Sequence, residues 1–290
     1  MRTLFIAIAL FVMSAAPCLA VEVLIVQSGN GAAYAEAIRG FREVFGGATQ
    51  TILLSDYADV DLVRIVKEEQ PRLVLAVGDP ALAKAKKVRQ VPVISLLALG
   101  QGLPRPAAGN IHGVSVAPAP VRYMQLFSGM GAKKVGVVYD PSRTGNYLKR
   151  ALAAADNAGI RLVAREVKDP RTVVATIDQF KGVVDAVWMV PDTTAVTTAS
   201  LEAYFGFSAR NKVPVIAFSE LYLPKGAAAS IDVDRVDMGR QAGELATSLL
   251  KGGSPAPGTL LDPRKLEVNS NTSIAQKLGL KIPDLIFPQK

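Results

Sequence analysis

DAVWMVPDTTAVTTASLEAYFGFSARNKVPVIAFS, residues 185–219, is the stretch whose reading decides the fold. Its apolar run at 186–190 reads as a fully buried strand, because consecutive apolar residues leave no solvent-facing side. The run stops at Pro191-Asp192-Thr193-Thr194, where an acid and two hydroxyls meet a helix predicted over 195–210, and a second apolar run follows at 214–218. This is one β-α-β unit with a polar cluster at the carboxyl end of a strand. Open parallel sheets bind small molecules at such ends.

The same pattern occurs earlier. RLVLAVGDPALAKAKKVRQVPVISLLAL, residues 72–99, again runs strand, acid (Asp79), helix, and then Pro92-Val93-Ile94 where the later unit has Pro214-Val215-Ile216. Two similar α/β lobes account for the echo, although α/β chains reuse this pattern often enough for coincidence to produce it. Outward from these units, strands are predicted at 21–26, 51–54 and 111–116, with helices over 34–45 and 61–69. Pro118 and Pro120 resist both helix interior and central strand, and mark the crossing into a second lobe. That lobe opens with a helix over 121–127 and strands at 134–139 and 161–167, and Gly159 caps the helix between those strands. After the deciding unit come a strand at 227–231, an amphipathic helix over 234–250, a strand at 265–268 and a helix over 272–278. Elements left over after two complete lobes imply that the chain passes back and forth between them. The expected organisation is an N-terminal lobe over 21–117 with part of 232–264, and a C-terminal lobe over 118–226 with part of 265–290. Hinge crossings fall near 117–120, 226–234 and 262–268, and the proline- and glycine-rich segment 100–109 reads as an irregular surface connection.

Residues 1–20 pair a basic start with a short apolar core and small residues at Cys18 and Ala20, the pattern of a cleaved secretory signal. The core falls short of the about 20 residues a spanning helix needs. Pro17 before Cys18 fits a lipobox poorly, so cleavage after Ala20 is favoured over lipidation. The mature chain then keeps no cysteine and depends on core burial rather than disulfides. The formal charge is +8 before cleavage. Its densest group, Lys84, Lys86, Lys87 and Arg89, has no aromatic platform beside it, so a solvated helix face explains it better than nucleic acid does. With one histidine, His112, a histidine-based metal site or triad is almost excluded.

Asp79, Asp140, Asp192 and Ser219 each directly follow an apolar strand, and Asp232 and Asp234 follow a shorter one. Asp79 and Asp140 precede proline and read more readily as turn starters, whereas Asp192 has Thr193 and Thr194 beside it to cap the helix, which leaves its carboxylate free for a cationic group. Ser28 and Asn30 lie in a glycine-rich corner before the first helix. That corner is a tight turn whose free amides can also hold a carboxylate; it lacks the spacing of a nucleotide loop. Cleft carboxylates acting as in glycoside hydrolysis need a fixed separation of about 5 to 9.5 Å, which no sequence displays. No nucleophile elbow, H-E-x-x-H or C-x-x-C is present, and no cofactor is implied.

KKVGVVYDPSRTGN, DAVWMVPDTTAV, KVPVIAFSE, GAAASIDVDRVDMGRQAGELATSLLKGG and KLEVNSNTSIAQKLGLKIP, in that order, resemble the periplasmic substrate-binding proteins of ABC transporters, specifically the ABC transporter substrate binding protein family, whose characterised ligands include aromatic amino acids. The likeness covers nearly all of the mature chain and is strongest over 133–283. It implies the type I periplasmic-binding-protein fold, two Rossmann-like α/β lobes with parallel sheets joined by a multi-crossing hinge. It also implies a small polar or amino-acid-like ligand in the interlobe cleft, an inner-membrane permease as partner, a periplasmic monomer and no enzymatic activity. A ligand sensor signalling to a membrane partner is the alternative. By position the resemblance assigns Ser142, Asn146, Asp192, Thr193, Ser219 and Asp234 to the ligand. Asp79 stands where the family often has threonine and Asp232 where it often has glycine, and this added negative charge favours amines or polar cations.

Overall fold

The structure, a computed structural model, describes residues 21–99, 109–285 and 287. The leader expected at residues 1–20 and nearly all of the connection expected at 100–109 lie outside them. The first lobe is built in order from β1 (Val23–Gln27), α1 (Ala32–Val44), β2 (Thr49–Leu53), α2 (Leu62–Glu69), β3 (Leu73–Val77), α3 (Asp79–Ala85), β4 (Val93–Leu96) and β5 (Ile111–Val114). The second takes α4 (Pro120–Gly129), β6 (Lys134–Tyr139), α5 (Pro141–Ala158), β7 (Arg161–Glu166), α6 (Val173–Asp178), β8 (Ala186–Trp188), α7 (Thr198–Asn211), β9 (Val215–Ala217) and β10 (Ala229–Val233). The chain then adds α8 (Arg235–Leu250) and β11 (Leu260–Leu261) to the first lobe, and β12 (Leu266–Ser270) and α9 (Thr272–Lys277) to the second.

The sheets run β11-β5-β4-β3-β1-β2 and β12-β10-β9-β8-β6-β7. Strand for strand the order is the same, so β3-α3-β4 and β8-α7-β9 hold equivalent places and the sequence echo marks a repeated topology. Every pairing is parallel except β10 with β12. Helices therefore cover both faces of the inner strands, which explains why residues 23–26 and 73–77 are apolar without alternation and wholly buried.

The second crossing is narrower than the sequence suggested. Ala229 to Val233 pair with β12, and Ala229 and Ser230 also with β9, so the second lobe extends to Val233 instead of ending at residue 226. Asp234 then caps α8 through the Asp237 amide, and the chain is already back in the first lobe.

The returning α8 packs on α1 at backbone distance, which needs residues without a Cβ. A Cβ added at Gly40 would lie 1.9 Å from the Val236 carbonyl oxygen, and one at Gly239 would lie 1.9 Å from that of Ala37. Around this contact Ala37, Ile38 and Phe41 of α1 and Met238, Ala242 and Ala246 of α8 share one buried cluster. Arg235 and Arg240 add ion pairs to Glu36 and Glu43 at its edges.

Helix propensity alone would make Gly239→Ala stabilising by about 1 kcal/mol. The backbone opposite cannot yield, so the expected outcome is a loss of about 1–3 kcal/mol, read as a lower urea midpoint at unchanged m value.

Candidate functional site

The carboxyl ends of β6 and β8 meet at the point where the second sheet reverses its winding, the usual place for a ligand crevice. Here it is filled by protein. Asp192, only 2 % exposed, accepts the Asp140 amide at 2.7 Å and the Thr144 hydroxyl at 2.6 Å on one oxygen, and the Thr194 and Ala195 amides at 2.9 Å each on the other. Asp140 answers from the other loop, accepting the Thr194 hydroxyl at 2.7 Å and the Ser142 amide and hydroxyl at 2.8 and 2.7 Å. Burial pushes the Asp140 carboxyl up, but the hydrogen bonds from Ser142 and Thr194, with a smaller contribution from the Arg143 charge, outweigh it and hold the group below the usual carboxylate range.

This corrects the sequence expectation for Asp192. Thr193 and Thr194 do not cap a helix in its place, because α7 begins later, at Thr198, with Thr197 and Ser200 forming a capping box. Residues 192–195 turn instead around the Asp192 carboxylate, whose two oxygens are already committed to four donors. Thr193 is exposed beside them. Asp234 is similarly engaged: it caps α8 and accepts Lys265 at 2.5 Å. Burial raises its carboxyl, and the Lys265 ammonium together with the Asp237 and Val236 amides brings it below its ordinary value.

The first lobe repeats the device with a hydroxyl. Ser28, after β1, donates to the Val77 carbonyl at 2.7 Å and accepts the Ala81 amide at 3.0 Å, tying the ends of β1 and β3 together. Asn30 is exposed next to it, Asp79 is half-buried in the first turn of α3, and α1 starts at Gly31 without a side-chain cap. Ser219 accepts the Leu221 amide at 3.4 Å, and Asp232 accepts the Glu220 amide at 2.8 Å and the Ser230 hydroxyl at 2.5 Å. The acids Asp232 and Asp234 line a recess of about 190 Å3 with Glu36, Glu220 and Glu267.

A larger cleft of about 440 Å3 borders the closed crevice at Thr144 and Pro191. Its second-lobe wall is α5, through Arg143, Asn146, Tyr147 and Arg150, with Pro191 beyond; its first-lobe wall is Ala98, Leu99, Gly258 and Leu260, and residues 115–117 of the first crossing join the two. Of the residues expected to contact a ligand, only Asn146 lines this cleft. Arg143, Tyr147 and Arg150 are absent from the sequence expectation, yet their signal is present. Positions 143, 146, 147 and 150 form an i, i+3, i+4, i+7 stripe, while Thr144, Leu148, Ala151 and Ala155 form the buried stripe. Tyr147 donates to the Pro118 carbonyl at 2.8 Å and its ring lies 5.8 Å from that of Trp188. Arg150 pairs with Asp262 in the third crossing.

Two α/β lobes with parallel sheets, joined by three crossings around a cleft, define the type I periplasmic-binding-protein fold. A family model described as ABC transporter substrate binding protein matches residues 54–289, and the chain belongs to that family. It is 26% identical over 214 residues to a tyrosine-binding protein of Clostridioides difficile (strain R20291), a match covering 69% of this chain and 61% of the relative's length. Among solved structures it is similar to a ligand-free, open substrate binding protein with adhesive properties from Clostridium difficile (TM-score 0.67, 19% identity, 90% of this chain and 95% of that one). A domain in complex with L-Trp from Streptococcus pneumonia is comparably similar (TM-score 0.62, 19% identity, 91% and 96% covered).

The Asp192 network has a measurable consequence. Asparagine in either orientation turns its amide nitrogen toward two donors, so Asp192→Asn is expected to cost the ligand-free protein about 3 kcal/mol or more in chemical denaturation. A carboxylate that served only a ligand would leave that stability unchanged. Asp140 adds a pH dependence of definite sign. Its folded value is depressed, so its contribution is present above the unfolded value of about 3.9 and is lost as pH falls through the lower folded value. Acid titration of stability should show a shallower fall in Asp140→Asn than in the wild type.

Proposed function

We propose that this protein is an exported, non-enzymatic solute receptor that binds a small polar or amino-acid-like ligand in the interlobe cleft and presents the closed form to an inner-membrane ABC permease. The observation that carries the reading is the cleft of about 440 Å3, whose walls come from both lobes and whose base is the first crossing. Clefts of this size suit ligands of amino-acid dimensions. Family membership supports the transport partner, and the leader pattern at residues 1–20 supports a periplasmic location. The tyrosine-binding relative and the L-Trp complex make amino acids the first ligands to test. Closure works by differential affinity: a ligand held by α5 alone gains the contacts of the first-lobe wall only when the lobes approach.

The lone tryptophan provides the assay. Trp188 is wholly buried and separated from the cleft by one aromatic ring, Tyr147, so an occupied cleft is expected to change its emission saturably. A ligand at a hundredfold excess over Kd should also raise stability by about 2.7 kcal/mol. Small-angle scattering at saturation should show a smaller radius of gyration than the free protein. An unchanged profile at proven saturation would remove the closing receptor, and steady conversion of the ligand would replace it with an enzyme.

A further inference from the structure

The cleft carries charge of one sign. Arg143 and Arg150 line it, and none of the described residues lining it is acidic. Arg150 is engaged by Asp262, whereas Arg143 is exposed and, among the described residues, forms no direct ion pair, its charge acting on the Asp140 carboxylate only from a distance. The acids behind this wall have their oxygens occupied, Asp192 by four donors and Asp140 by Ser142 and Thr194. Of the other acids that the sequence offered to an ammonium group, Asp79 does not line the cleft, and Asp232 and Asp234 line the separate smaller recess, where Lys265 already holds Asp234. Facing α5 from the first lobe are the side chains of Ala98, Leu99 and Leu260, which offer hydrocarbon only.

We propose that the cleft selects a small carboxylate with an apolar body, held by the Arg143 guanidinium and packed against Ala98, Leu99, Leu260 and the Tyr147 ring, with no counter-charge for an ammonium group. The inference rests on the cleft being the ligand site and specifies what that site recognises. A guanidinium matches a carboxylate with two parallel hydrogen bonds, and closure of the apolar first-lobe wall over it strengthens them by excluding water. An ammonium enclosed in the same space would lose its hydration without an acidic partner. Charge on the amino group is therefore at best neutral to binding, the reverse of the preference expected from Asp79 and Asp232 in the sequence.

The test is calorimetric titration of the intact protein, freed of co-purified solute by reversible unfolding, with three sets of probes matched in body. The carboxylates are hexanoate, hydrocinnamate and indole propionate; the amines are pentylamine, phenethylamine and tryptamine; the amino acids are norleucine, phenylalanine and tryptophan. At least one carboxylate is expected to bind saturably, at least as tightly as its amino acid, and about tenfold or more tighter than its amine. Arg143→Gln should weaken that carboxylate about tenfold or more, and Arg143→Lys, which keeps the charge but loses the fork, should weaken it less. Arg143 is exposed, so the melting temperature of both free variants should match the wild type. Saturable binding confined to amines or amino acids, or undiminished carboxylate binding in Arg143→Gln, overturns the anion selectivity and leaves the cleft as ligand site. Silence from all three sets overturns both.

Discussion

The buried carboxylate of Asp192 is the interaction on which the second lobe's cleft face depends. Two loops, after β6 and after β8, leave the sheet in opposite directions and would part at the winding reversal; one side chain accepting from three amides and a hydroxyl holds them together. A charge taken this far from water is tolerable only when its lone pairs are met, and here four donors meet them. With that point closed, the start of α5 is fixed in place by Asp140, itself locked to Thr194. The open space is displaced sideways, onto the flank of α5. Ser28 closes the corresponding point of the first sheet with two hydrogen bonds, one donated and one accepted by its hydroxyl. The pseudo-repeat therefore extends from strand order to the way each sheet's reversal is sealed.

The fold was legible because burial on both faces writes itself into sequence as unbroken apolar runs, and because the runs recur with the same spacing. The sheet end β11 was harder. β11 is two residues long and only half-buried, too short for any period to show, whereas β12 was anticipated at 265–268 and runs two residues further, to Ser270. The site was less legible, for a physical reason. An acid after a strand has the same appearance whether it meets solvent, ligand or amides, and what decides is the conformation of the next three residues. The separation between the turn that opens at Pro191 and the helix that starts at Thr198 cannot be inferred from propensity, since Thr193, Thr194, Thr197 and Thr198 are all competent caps. Arg143 lies in DPSRTGN, where a polar loop and the first turn of a helix call for the same residue types. Only the continuation of its stripe to Tyr147 and Arg150 tells the two apart.

One helix joins the cleft to the crossings. Within two turns of α5, Arg143 and Asn146 face the cleft, Tyr147 reaches the Pro118 carbonyl of the first crossing, and Arg150 reaches Asp262 of the third. The third crossing is tied in turn to the second, because Arg264 forks between Asp237 and Glu244 on α8 and Lys265 holds Asp234. The three passages between lobes are thus linked by polar contacts to one another and to the second-lobe wall of the cleft. These ion pairs are partly exposed and individually weak, so the linkage resists large excursions without fixing a single interlobe angle.

The late return of α8 sets the order in which the molecule can be assembled. Met238, Ala242, Leu245 and Ala246 supply one side of the first lobe's buried cluster, and Gly239 seats that side on α1. A chain emerging from its amino end therefore presents β1 to β5 with an uncovered apolar face until the whole stretch between Val114 and Arg235 has followed, on the order of ten seconds at ordinary rates of synthesis. The first lobe cannot mature before the second has been made. Completion of the first lobe therefore waits on a contact between segments distant along the chain.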